Sequence, residues 1–151
     1  MKAILNFPVD VNLIHALVED DQDLRLMMPS AEIPFDEKQW EEILSPTSNS
    51  LSFIVKKENE TIGHFALLRI DKEIKEATLG LIYLTNKLRK TGTAHDLLKL
   101  AEQTAKNLFE IKTLKLNVRS FNLSAYNLYL KSGYTEYENI ETLIRMQKSL
   151  S

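Results

Sequence analysis

The residues best suited to chemistry stand together at Arg89-Lys90-Thr91-Gly92-Thr93-Ala94, directly ahead of a segment striped with apolar residues at helical spacing. A helix start leaves its first amide N–H groups without intrahelical partners, and the aligned peptide dipoles place partial positive charge there. Gly92 lets a ligand approach the backbone, and Lys87, Arg89 and Lys90 add cationic side chains. The pattern predicts an anion site suited to a diphosphate, because amide donors and cations act at one point. The same residues also fit an ordinary tight turn packed against a helix. Neither Gly-x-x-x-x-Gly-Lys nor Gly-x-Gly-x-x-Gly occurs, which argues against a P-loop ATPase and a dinucleotide-dependent oxidoreductase.

Other chemistries lack their residues. The absence of cysteine removes thiolate zinc sites, redox dithiols and cysteine nucleophiles. His15, His64 and His95 have no metal-ligand spacing, so no metal is expected. The serines between Ser45 and Ser52 lack the Gly-x-Ser-x-Gly turn of a serine hydrolase.

The elements that must position the loop follow from periodicity. Asp10 precedes an apolar stripe at Leu13, Ile14, Leu17 and Val18, predicting a capped helix over residues 11 to 20. Asp36 as N-cap, Gln39 three residues on and a Phe35/Trp40 staple predict another over residues 37 to 44. Asp23 to Ile33 has no clear period and reads as a loop. The period becomes two at Leu51, Phe53 and Val55, and Ile62 to Ile70 and Ala77 to Leu84 read as longer strands of an antiparallel meander. Ala94, Leu97, Leu98, Ala101, Ala105 and Leu108 then form one helical stripe, followed by a strand through Leu114, Leu116 and Val118. A shorter helix runs from Leu123 to Ser132 between a capping Asn122 and Gly133, and Tyr134 to Met146 holds two more strands.

With 151 residues, 44% hydrophobic and 26% charged, the chain suits one soluble domain, residues 1–151. Its longest uncharged stretch, residues 43 to 55, is broken by Pro46 and is far short of the roughly 18 apolar residues of a membrane span. No membrane association and a cytoplasmic location are expected, since no secretion signal is recognisable. Charge is uneven: residues 1 to 50 carry 3 Lys/Arg against 10 Asp/Glu, and the remaining 101 carry 16 against 11. A basic half suits an anionic ligand, whereas an acidic half suits a cationic partner or is simply a solvated face. No like-charge block is long enough for a nucleic-acid tail, so nucleic acid is not an expected partner.

Two blocks resemble a known family. Arg89-x-x-Gly92-x-Ala94 is similar to the [Gln/Arg]-x-x-Gly-x-[Gly/Ala] signature of the GNAT superfamily of N-acetyltransferases, between a long strand and a long helix. Asn122-Leu123-Ser124-Ala125-Tyr126-Asn127-Leu128-Tyr129-Leu130-Lys131-Ser132-Gly133-Tyr134 resembles the family's later motif, in the right order and at the right distance. The resemblance implies an α+β domain with a mixed sheet of about six to seven strands flanked by about four helices. It also implies an acetyl-CoA site, with the diphosphate on Arg89, Lys90, Thr91, Gly92, Thr93 and Ala94 and the pantetheine arm against the backbone of Ile82, Tyr83 and Leu84. Asn122 would help hold the cofactor, and Tyr129 would bind it and act as general acid. Asn122 is equally a helix cap, and Tyr129 equally a core aromatic.

The base is less defined. Where some family members carry a Glu two residues ahead of an Arg, this chain has Asn117 before Arg119, and Asn117 takes no proton. Glu76, at the start of the long strand, is the candidate carboxylate, against an ordinary strand-end residue; a water-relayed or substrate-assisted route is the other option. The resemblance thus implies acetyl transfer to a primary amine of a small molecule or peptide by direct attack, since no nucleophile for a covalent intermediate is evident. The alternatives are a non-catalytic acyl-CoA-binding or sensing module and a cofactor-free interaction domain. An acidic first half forming the acceptor wall would favour a cationic amine. A homodimer is left open.

Overall fold

Seven strands form one mixed sheet, and five helices cover its two faces, across residues 1–150, which the computed structural model describes. The strands are β1 (Lys2–Leu5), β2 (Leu51–Lys57), β3 (Glu60–Asp71), β4 (Glu76–Leu84), β5 (Thr113–Arg119), β6 (Thr135–Ile140) and β7 (Leu143–Ser149). Their order is β1-β2-β3-β4-β5-β7-β6, antiparallel throughout except for the parallel β4–β5 pair. A parallel pair needs a crossover, and α4 (Thr93–Phe109) supplies it.

The apolar stripe of α4 buries Leu97, Leu98, Ala101 and Ala105 against Phe53, Phe65, Leu67, Leu79, Leu114 and Leu116 of the sheet. α5 (Leu123–Lys131) packs on the same face through Tyr129, whereas Leu108, expected in the α4 stripe, is exposed in its last turn. The opposite face carries α1 (Val11–Leu17), α2 (Asp21–Met27) and α3 (Glu37–Ile43), whose Ile14, Leu24, Met27 and Trp40 cluster with Ala66, Leu81 and Tyr83. Among the described residues no helix is long and apolar enough to cross a membrane.

Two elements correct the sequence expectation. The expected loop Asp23 to Ile33 is helical in its first part, as α2 runs over residues 21 to 27: Asp20 caps it by accepting from the Asp23 amide at 2.8 Å, and Leu24, Met27 and Met28 are buried at a spacing of three and four. Residues 2 to 5 form edge strand β1, paired with Phe53–Lys56 of β2. At α3, Asp36 caps as expected and Phe35 lies 5.8 Å from Trp40. Gln39 closes no capping box; it accepts from the Glu32 amide and donates to the Ser30 carbonyl, pinning the loop after α2.

Candidate active site

A break in the middle of the sheet makes the site. β4 pairs with β5 only from Glu76–Leu79 against Thr113–Leu116, while β5 remains paired to β7 as far as Arg119. Beyond Leu79 the two strands part, and the edge of Gly80–Leu84 that faces β5 pairs with no strand. A bulge accompanies the break: opposite His64 to Ala66, the register slips between Tyr83 and Gly80, and Leu81 has φ 49°. Its effect is a change of parity. Ala77 and Leu79 face α4, but Leu81 and Tyr83 face α2. The opening leads into a cleft of ≈1020 Å³ bounded by α2, the loop after it, the parted strands and α5.

A buried chain of hydrogen bonds holds the bulge. The Leu81 carbonyl only accepts, so His64 Nδ1 donates to it at 2.7 Å, and His64 Nε2 accepts from Ser52 Oγ at 2.7 Å. Ser52 Oγ in turn accepts from Asn6 Nδ2 at 3.1 Å. Complete burial pushes the His64 pKa down to about 4, keeping the ring neutral.

The predicted anion loop sits where β4 gives way to α4. The amides of Lys90, Thr91, Gly92, Thr93 and Ala94 take no acceptor among the described residues. Gly92 has φ 88° and open space within 4 Å of where a Cβ would be. That geometry can receive a diphosphate from the backbone. The side chains contribute less than expected. Lys87 is ion-paired with Glu60. Arg89 donates through Nε to the Leu84 carbonyl at 2.9 Å and through Nη2 to Asp23 at 3.3 Å, over the Tyr83 ring. Lys90 is left as the loop's cation without an ion-pair partner among the described residues.

Of the other anticipated residues, Ile82, Asn122 and Tyr129 line the cleft. Tyr83 and Leu84 bury their side chains and continue the β4 edge from the cleft toward the loop. Asn122 caps α5, accepting from the Ala125 amide at 3.3 Å, and still borders the cleft. Tyr129 is 7% exposed, its hydroxyl has no hydrogen-bond partner among the described residues, and burial pushes its pKa up to about 12. Glu76 is not brought to the cleft: it stands at the far, paired end of β4 in a 3.1 Å ion pair with Lys115, because strand direction carries the chain away from it toward the gap.

A family model described as the acetyltransferase (GNAT) family matches residues 14–134. The chain belongs to the GNAT acetyltransferase family. Solved GNAT structures share its fold. A spermidine N-acetyltransferase from Vibrio cholerae in complex with CoA and spermine superposes with TM-score 0.73 at 18% identity, over 93% of this chain and 90% of that one. The Campylobacter jejuni N-acetyltransferase PseH gives 0.73 at 19% identity, over 99% and 98%. An IAA acetyltransferase from Bacillus cereus ATCC 14579 gives 0.64 at 20% identity, over 87% and 93%. A sequence search of curated proteins returns no match.

This GNAT chain does not place its acidic half around the cleft. Asp10, Asp20 and Asp36 cap α1, α2 and α3, Asp23 holds Arg89 and Tyr83, and Glu19 accepts from Asn86. Among the described residues only Asp21 lines the cleft as a carboxylate, beside Arg25, Arg69 and Arg119. Nothing in the spacing marks Asp23 or His64 as site-building residues, since both act across long sequence separations. Arg25 and Arg69 lie on elements whose faces emerge only from the assembled sheet.

Proposed function

We propose that this chain, as one domain spanning residues 1–151, transfers the acetyl group of acetyl-CoA to a primary amine by direct attack in a ternary complex, with no metal. One observation carries the reading: β4, unpaired with β5 beyond Leu79, runs from the cleft that holds Tyr129 to the loop whose Lys90–Ala94 amides take no acceptor among the described residues. Acetyl-CoA, when bound, supplies the acetyl group as an activated thioester. The loop amides hold its diphosphate, the β4 edge orients its amide-bearing arm, and Asn122 borders the same path. Tyr129, with its pKa pushed up to about 12, keeps its proton through neutral pH, so it donates to a leaving sulfur and does not serve as base. Asn117 lines the cleft and takes no proton, and Asp21 is exposed in the first turn of α2. The amine loses its proton to water in the open cleft, a route that needs no side-chain base. No cysteine is present, and among the described residues no histidine lines the cleft to activate its Ser30 or Thr78 hydroxyl, so a covalent acetyl-enzyme is not favoured. The fold shared with spermidine acetyltransferases supports a small-molecule amine as acceptor.

The same cleft, whose one lining carboxylate among the described residues is the exposed Asp21, also suits a non-catalytic acyl-CoA sensor, and one experiment separates the two. Saturating acetyl-CoA, at about 100 times its Kd, should stabilise the protein by roughly 2.7 kcal/mol in thermal unfolding. Gly92→Glu should abolish the shift by filling the loop with an opposing charge. Tyr129→Phe should keep the shift and lower kcat by about 10² or more. A shift without turnover of any amine favours the sensor, and no shift in the wild type overturns both readings.

A further inference from the structure

The charged residues lining the cleft are Asp21, Arg25, Arg69 and Arg119, an excess of two positive charges. These arginines differ from the others in the chain. Arg89 pairs with Asp23 and Arg145 with Glu138. Arg25 and Arg69 meet no carboxylate among the described residues, and Arg119 bonds only the Thr142 hydroxyl, at 3.1 Å. All three belong to the α2 side of the sheet, away from the face where α4 and the diphosphate loop lie: Arg25 on α2 itself, Arg69 beside Leu68 on β3, Arg119 beyond Asn117 on β5.

Arg69 is also the product of a costly backbone. Among the described residues eight non-glycine residues have positive φ, and six of them sit in turns or at helix ends; the two within strands are Leu81 and Arg69, at φ 49° each, and both line the cleft. The β3–β4 register slips between Leu68 and Asp71, so a bulge re-aims the chain at Arg69 much as another does at Leu81. The one carboxylate among the lining, Asp21, sits in the first turn of α2, where it complements the helix dipole. A guanidinium presents paired donors that match a carboxylate or phosphate, and such bonds are charge-assisted. A polyamine carries several ammonium groups and no anion to answer this wall.

We propose that the acceptor is a primary amine that also carries an anionic group, a carboxylate or a phosphate, held by Arg25, Arg69 and Arg119 while the amine reaches the gap between β4 and β5. This names the acceptor for the acetyl-transfer reading above and rests on it.

The test is equilibrium binding of matched probes: 6-aminohexanoate against cadaverine, glucosamine 6-phosphate against glucosamine, and spermidine. Titrations run with and without saturating CoA, which occupies the diphosphate loop and confines the comparison to the acceptor side. The expected result is at least tenfold tighter binding of an anionic probe than of its partner, weakened severalfold by Arg25→Gln and by Arg69→Gln. Both arginines are exposed, so these variants should unfold at the wild-type temperature. Which pair shows the larger preference distinguishes carboxylate from phosphate. Equal or tighter binding of cadaverine, glucosamine or spermidine overturns the proposal, as does an anionic preference untouched by the arginine variants, or no binding of either anionic probe. Loss of CoA binding alone would instead overturn the acetyl-transfer reading, because the arginine effect is read without CoA as well.

Discussion

His64 reads in the sequence as a histidine after a glycine in a strand, with nothing to suggest more. Its significance comes from partners 12 and 17 residues away, Ser52 and Leu81, which only the folded sheet brings within 2.7 Å. Burial gives it a measurable signature. The unfolded chain takes a proton near pH 6.5, whereas the folded protein resists until about pH 4. In that window the unfolded state binds more protons, so stability falls as pH drops from 6.5 to 4 and is insensitive to His64 above it. Urea unfolding between pH 7 and pH 4.5 should show the wild type losing about 2–3 kcal/mol more than His64→Gln. Equal slopes would mean that the ring is charged or solvated in the fold. The positions of Tyr129 beside the cleft and of the Arg89 to Ala94 loop ahead of α4, by contrast, are legible at the residue scale, because their signals are local: a glycine before a helix, and a tyrosine within a spaced motif. Glu76 was misleading for a related reason, since its proximity along the chain to the long strand says nothing about which end of that strand opens.

Among the elements, the strongly periodic ones were readable: α4 through its apolar stripe, and β2, β3 and β5 through alternation. α2 was not, because seven residues give a helix one repeat of its pattern, and its cap, Asp20, sits within an acidic run that looks like surface charge. β1 gives no sequence signal, being an edge strand whose Lys2, Ile4 and Leu5 are exposed, so no alternation of burial shapes its composition. The bulge in β4 was hidden by chemistry: Leu81, Ile82, Tyr83 and Leu84 are apolar on either parity, and a continuous apolar run conceals a change of face. One glycine reports how tightly β3 and β4 approach there. A Cβ at Gly63 would lie 2.5 Å from the Tyr83 carbonyl oxygen, a backbone atom that moves only if the strands do. Gly63→Ala should therefore cost about 1–3 kcal/mol in denaturant unfolding, the range for overpacking a tight contact. An unchanged midpoint would mean that the pair yields easily.

At the scale of the whole molecule, the α+β architecture was anticipated from the order of strands and helices, with seven strands and five helices where about six to seven and about four were expected. What one sequence does not announce is where a sheet stops pairing. Across its centre this sheet is joined by four residue pairs, Glu76–Leu79 with Thr113–Leu116. Everything before that seam comes from the first 84 residues and everything after it from residue 113 onward, with α4 lying over the join. The molecule is thus two half-sheets sharing a short hinge of hydrogen bonds, and cooperative opening should follow that line. Native-state hydrogen exchange would detect it as a lower opening free energy for β5, β7 and β6 than for β2 and β3. A ligand lying along the free edge of β4 works as a splint across the fracture, and its binding should slow exchange in β7, a strand that lies beyond β5 and away from the β4 edge.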